Sequence, residues 1–235
     1  MDVFGYHALT CAHMGGLGVR HNALRDVWLK YLKLAGVPAQ AEAPSLLPGS
    51  AARPADIFVP DFVPPDAKSA TPACLDFAIT HPQQPNFLKR AGEVCGFAAK
   101  EYADKVKVAK FGAECEAAGV GLVPMVVETF GRWGAGTDQV FDFVAKASAA
   151  RGNATAERAS AFLRRSLAVC LQRSNVRTLL AWGDSTPTPR RWSSRWSWRW
   201  RGRRTPCLWT TCGSCCWAAV SVRQEECAIA SYTCK

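Results

Sequence analysis

Ala73-Cys74-Leu75-Asp76-Phe77-Ala78-Ile79-Thr80 is an apolar, partly β-branched run built around a single carboxylate. It predicts a strand, and the Pro82-Gln83-Gln84-Pro85 segment behind it predicts a loop. A carboxylate inside such a strand is costly to bury unless it is paired or holds a cation. A second one precedes it in Arg53-Pro54-Ala55-Asp56-Ile57-Phe58-Val59, where Ala55 to Val59 reads as a short strand. Two acids on consecutive strands meet at one end of a sheet when both point to the same face.

Working outward, His21 to Ala35 predicts an amphipathic helix, with Leu24, Val27, Trp28, Tyr31 and Leu32 at helical spacing and Gly36 and Pro38 as its stop. Val37 to Ala43 reads as a further strand, and Asp61 to Pro72 as a turn-rich connection. Phe87 to Ala118 is expected to be helical, broken near Gly92 or Gly96 and closing at Gly119. Leu122 to Val127 reads as a buried strand that tolerates Pro124 at an edge or a bulge. Asp138 to Ala149 and Thr155 to Ala181 complete the set as helices. The order is α-β-β-β-α-β-α-α, an α/β fold.

The 235-residue chain is 49% hydrophobic and 20% charged, which fits a soluble globular protein with room for one domain and extra segments. No apolar run reaches the roughly 18 residues of a membrane span and no signal pattern opens the chain, so the expectation is an intracellular protein without membrane contact. The net charge is +10, but the stretch from Asp184 to Lys235 holds nine basic and three acidic residues, leaving the body at +4. Charge alone therefore does not define the partner. Cys11, Cys74, Cys95, Cys115 and Cys170 are scattered through the body, whereas the other six of the 11 cysteines fall between Cys207 and Cys234.

Phosphodiester hydrolysis needs a divalent cation to activate water and offset phosphate charge, and Mg²⁺ favours one or two carboxylates. Asp56 and Asp76 supply them. Lys107 and Lys110, three apart on the predicted helix, supply an amine to orient water or stabilise developing charge. Asp104 shares the Lys107 side and is an accessory acid. Three ordinary readings compete. Asp56 closes a turn after Pro54, Asp76 is satisfied by an arginine such as Arg53, and Lys100, Lys105, Lys107 and Lys110 form a solvated helix face.

The stretch from Gly5 to about Ala181 resembles the C-terminal region of reverse-transcriptase polyproteins of non-long-terminal-repeat retrotransposons. Those of the site-specific type carry there a restriction-like endonuclease of the PD-(D/E)xK superfamily. The matching pieces are His7-Ala8-Leu9-Thr10-Cys11, Arg20-His21-Asn22-Ala23-Leu24-Arg25-Asp26, Arg53-Pro54-Ala55-Asp56 and Leu75-Asp76-Phe77-Ala78-Ile79-Thr80. They continue with Lys107-Val108-Ala109-Lys110-Phe111, Val123 to Gly131 and Leu171-Gln172-Arg173-Ser174-Asn175. The resemblance implies an αβββαβ core with a mixed central sheet flanked by helices. It also implies Mg²⁺- or Mn²⁺-dependent nicking of target DNA to prime reverse transcription, with Asp56 and Asp76 as metal-binding acids. Ala78 stands where the superfamily places a lysine two residues after the second acid. In these retrotransposon nucleases the lysine comes instead from the following helix through a KxxK-aromatic motif, here Lys107, Lys110 and Phe111. Glu42 and Glu128 are implied as accessory acids, Glu128 with a cap to Gly131 as its alternative. His21 and Arg25 are implied as phosphate contacts, with a capping or surface role at the helix start as the alternative, and Arg53 as a further nucleic-acid contact.

Residues 1–20 resemble the truncated second half of a CCHC zinc knuckle, with His7 and Cys11 as ligands and His13 as a substitute; zinc is not expected there. Residues 21–181 would be the nuclease domain. Residues 182–235, rich in Arg, Trp and Cys, read as a disordered or spuriously translated extension, with a basic aromatic RNA-binding tail and a Cys212–Cys215 zinc site as alternatives. The expected partners are DNA and element RNA, and the expected location is the nucleus. The competing reading is a catalytically inactive retroelement remnant that at most binds nucleic acid. An unrelated metabolic α/β enzyme finds no glycine-rich phosphate loop or nucleophile elbow in the chain.

Overall fold

The computed structural model describes residues 6–10, 16–44, 46–47, 53–64, 67–152 and 154–185. Cys11, His13 and the 186–235 tail, with its CxxC pair, lie outside them. The elements are α1 (Tyr6–Thr10), α2 (Gly16–Leu34), β1 (Gln40–Ala41), β2 (Ile57–Phe62), β3 (Thr71–Thr80), α3 (Leu88–Glu93), α4 (Phe97–Tyr102), a π-helical turn (Ala103–Val108), α5 (Ala109–Ala117), β4 (Gly121–Glu128), α6 (Asp138–Ala150) and α7 (Ala156–Ser185). A 3₁₀ turn, Ala135–Thr137, leads into α6.

The four strands form one mixed sheet in the order β1-β2-β3-β4. β1, β2 and β3 pair antiparallel, while β3 and β4 pair parallel. A parallel neighbour demands a crossover, and the helices between β3 and β4 supply it. Pro124 sits in β4 at the sheet's edge, where a missing N–H costs no ladder bond. Pro60 lies within the irregular register of β2 between Val59 and Phe62.

β3 is covered on both sides, which is why its apolar run does not alternate. On one face Leu75 and Phe77 join Ile57, Val59, Met125 and Val127 against Leu24, Trp28 and Leu32 of α2, Phe141 of α6 and Leu163, Leu167 and Leu171 of α7. Burying each such large side chain stabilises the fold by roughly 1.5–3 kcal/mol. The opposite face carries two smaller patches. Ala78 and Val126 pack on Ala99, Tyr102 and Ala103, while Phe111 and Cys115 pack with Leu47 and Leu122. Asp76 falls between the two patches, beneath the π turn that joins α4 to α5.

Several boundaries differ from the expectation. The strand expected over Val37–Ala43 is the two-residue β1, because Glu42 turns the chain at φ 48° and donates its N–H to Asp56 O at 3.0 Å. β2 runs on to Phe62 and β3 begins at Thr71, so the connection expected over Asp61–Pro72 is shorter. The break in the long helix, by contrast, falls at Val94–Gly96, the second of the two expected places, where Gly96 takes φ 81°, a conformation that glycine adopts without strain. Among the described residues, no helix is long and apolar enough to cross a membrane.

Candidate active site

The site begins where β2 begins. Ile57 pairs with Leu75, so Asp56 stands at the strand's entry beside the middle of β3. Its N–H donates to Leu75 O at 3.1 Å, and Phe77 N donates to Asp56 Oδ2 at 2.7 Å. The Asp56 side chain thus takes over as acceptor where the β2 backbone leaves the ladder. Ile57 and Val59 enter the large core, and Asp76, between core-facing Leu75 and Phe77, points to the opposite face. From the entry of β2 the Asp56 carboxyl comes close enough to Asp76 for the two to shift each other's titration.

Lys107 reaches this pair from the π turn. Its Nζ donates to Asp76 Oδ1 at 2.7 Å, with the two side chains 16% and 8% exposed. A π turn is wider than an α turn and is frequent at functional sites. It shifts the helix face, so Lys107 and Lys110 do not point together as an unbroken α-helix predicts. Lys110 is exposed and holds its Nζ 4.6 Å above the Phe111 ring.

His21, on the first turns of α2, completes the cluster. Its Nε2 donates to Asp56 Oδ2 at 3.0 Å and its Nδ1 lies 3.3 Å from Asn22 Oδ1. Both ring nitrogens face oxygens, which favours the protonated ring. The Asp56 hydrogen bond raises the His21 pKa despite its burial. Burial pushes Asp56 up, but His21, the Phe77 N–H and Lys107 together hold it below the ordinary carboxylate value. Asp76 goes the other way, to about 6, because burial outweighs Lys107 and the Asp56 carboxyl adds to the rise.

Asp76 Oδ2 is buried with no hydrogen-bond partner among the described residues. Two ionised carboxylates have no proton to share, so this oxygen awaits either a proton, which it can then donate to Asp56, or a cation. Hard oxygens from two carboxylates suit Mg²⁺ or Mn²⁺. The nearby Cys74 thiol does not compete, since burial and the neighbouring Cys115 push its pKa up to about 12. Among the described residues no group of three or more His, Cys, Asp or Glu side chains forms a closed metal cage.

The remaining expected residues sit elsewhere. Arg25 pairs with Asp26 at 2.9 Å and with Glu42, and Arg53, 67% exposed, approaches Glu42 rather than Asp76. Glu42 is therefore engaged away from the two aspartates. Asp104 pairs with Lys100 at 2.5 Å and Lys105 with Glu101, so these are the solvated face that competed as an explanation for all four lysines. Glu128 is four residues along β4 from Pro124, the partner of Asp76, and belongs to another structure. Its Oε1 accepts Ala99 N at 3.3 Å, capping α4, whose own N-cap Gly96 has no side chain to do so. Its backbone carbonyl accepts Gly131 N at 2.7 Å, so the tie to Gly131 is made by the main chain.

The phosphate contact expected of His21 does not foretell its bond to Asp56, which depends on how α2 crosses the sheet. Arg20, beside it, is fully buried at 1% exposure. Arg20 Nη1 donates to Asn175 Oδ1 at 2.9 Å and Nη2 to Leu9 O, while Asn175 Nδ2 donates to Thr129 O at 2.9 Å. The signal was present: Arg20, Leu24, Trp28 and Leu32 recur every four residues along the buried stripe of α2. A comparison with protein-family models gives no match, and a comparison with curated proteins gives none either.

Proposed function

We propose that residues 21–181 are a restriction-like endonuclease domain of retrotransposon origin that nicks DNA with a divalent cation, so as to prime reverse transcription. The observation that carries the reading is the convergence of Asp56, Asp76 and the Lys107 amine beside the entry of β2. Three further points support it: the αβββαβ order, the orphan oxygen of Asp76, and a helix lysine that stands in for the absent lysine at Ala78.

Asp56 and Asp76 would hold Mg²⁺ or Mn²⁺ through their carboxylate oxygens. When bound, the cation supplies positive charge for the scissile phosphate and makes water more acidic. Asp76, once ionised, keeps Lys107 in place through the 2.7 Å bond. The Lys107 amine then donates to the attacking water or to a phosphate oxygen, stabilising charge as it develops. The Phe77 N–H and His21 hold the other acid in orientation. DNA is the substrate under this reading, element RNA a further partner, and the nucleus the place of action.

Incubating the full chain with supercoiled plasmid and Mg²⁺ tests the reading. Open-circle product that disappears with EDTA is the expected result. No product with either Mg²⁺ or Mn²⁺ would leave the inactive-remnant reading in its place.

A further inference from the structure

His21 is the one member of the cluster to which the resemblance assigns only a phosphate contact. In the structure it addresses the protein. Asp56 Oδ2 receives two donors, Phe77 N at 2.7 Å and His21 Nε2 at 3.0 Å, and among the described residues no donor is bonded to Oδ1. We propose that His21 is the positioning residue of the cation site, holding Asp56 by Oδ2 so that Oδ1 is left for a cation shared with Asp76. This rests on the metal reading above.

Two observations give the arrangement its rigidity. A carboxylate held by one donor swings about that bond, whereas two donors fixed on separate elements set its plane. The Phe77 N–H is fixed by β3. His21 is fixed by its neighbour Arg20, which is buried and bonded to Asn175 on α7 and to Leu9 O. Asn175 continues the chain of bonds to Thr129 O, just past the end of β4. The His21 ring also meets the Phe77 ring edge-on, with centroids 6.4 Å apart and planes at 89°. Groups that orient a metal-binding carboxylate in this way commonly change metal affinity about 10- to 100-fold when removed.

The test is an Mn²⁺ titration of the metal-free full chain, followed by electron paramagnetic resonance and accompanied by thermal melts. His21→Phe keeps a ring against Phe77 but removes the donor, and about 10- to 100-fold weaker Mn²⁺ binding is expected. His21→Gln retains an N–H donor and should bind close to wild type. The proposal is overturned by His21→Phe binding Mn²⁺ as tightly as wild type. It is equally overturned if His21→Gln and His21→Phe weaken alike while melting like wild type. Wild-type protein that takes up no Mn²⁺ removes the metal reading itself, a result distinct from either of these.

Discussion

The Lys107 amine lies 2.7 Å from Asp76 Oδ1, whereas Lys110, three residues on, is exposed and stacks over Phe111. The π turn at Ala103–Val108 separates the two lysines that the spacing placed together. Their variants should differ sharply. Lys107→Ala is expected to slow single-turnover plasmid nicking by about 10²- to 10³-fold, the range seen when one charge-stabilising donor is removed. Lys110→Ala should stay within a few-fold of wild type. Equal losses in both would argue against this division of roles.

The site also gives the metal-free protein a characteristic pH response. Asp76 is raised from 3.8 to about 6, chiefly by burial. A raised pKa favours the folded state in its protonated form, so this contribution is full below 3.8 and is lost as pH rises through about 6. His21, raised from 6.5 first by its Asp56 bond, has the same sign in a higher window. Asp56, held below 3.8 by His21, Phe77 N and Lys107 against its burial, runs the other way and loses its contribution only in stronger acid. Asp76→Asn should therefore gain about 2 to 3 kcal/mol relative to wild type as pH climbs from 4 to 6. Urea denaturation of both proteins across that range reads it out, and a pH-independent gap contradicts it.

Glu128 tests the boundary of the site from outside. As the cap of α4 it is structural, so Glu128→Ala should lose about 1–2 kcal/mol of stability. Glu128→Gln retains an acceptor oxygen and should keep most of it. The nicking rate of the folded Gln variant should match wild type, whereas an accessory catalytic acid would lose activity on the same change.

The Arg20–Asn175 bond makes a separate claim about stability. Asn175→Ala strands a buried guanidinium nitrogen and the Thr129 carbonyl, and a loss of about 2–3 kcal/mol is expected. Arg20→Met combined with Asn175→Ala should cost less than the two singly, because the shared bond is lost only once. Additive losses in urea melts would mean the contact carries no coupling.

Much of this was legible in the chain. The Ala73–Thr80 run marks the central strand, and its lone carboxylate marks the candidate site, because an apolar strand tolerates a charge only for a reason. Pro124 restricts its strand to an edge or a bulge, and β4 is an edge strand. What stayed hidden depends on geometry that residue spacing does not encode. The π turn arises from hydrogen-bond choice within a helix of ordinary composition, so Asp104 and Lys110 were grouped with Lys107 by a periodicity that the turn interrupts. Glu128 and Glu42 were read from their places in motifs, and their partners, Ala99 N and Arg25, come from segments distant in sequence. His21 fell between: its helix was clear, but its approach to Asp56 required knowing how α2 crosses the sheet.

The central claim is that Asp76 is a metal-binding acid of a nuclease, and the rate of Mg²⁺-dependent nicking by wild type and Asp76→Asn tests it most directly. The account predicts EDTA-sensitive conversion of supercoiled plasmid to open circle by wild type, falling by about 10²-fold or more in Asp76→Asn protein shown to be folded. Unchanged nicking by that variant would contradict it.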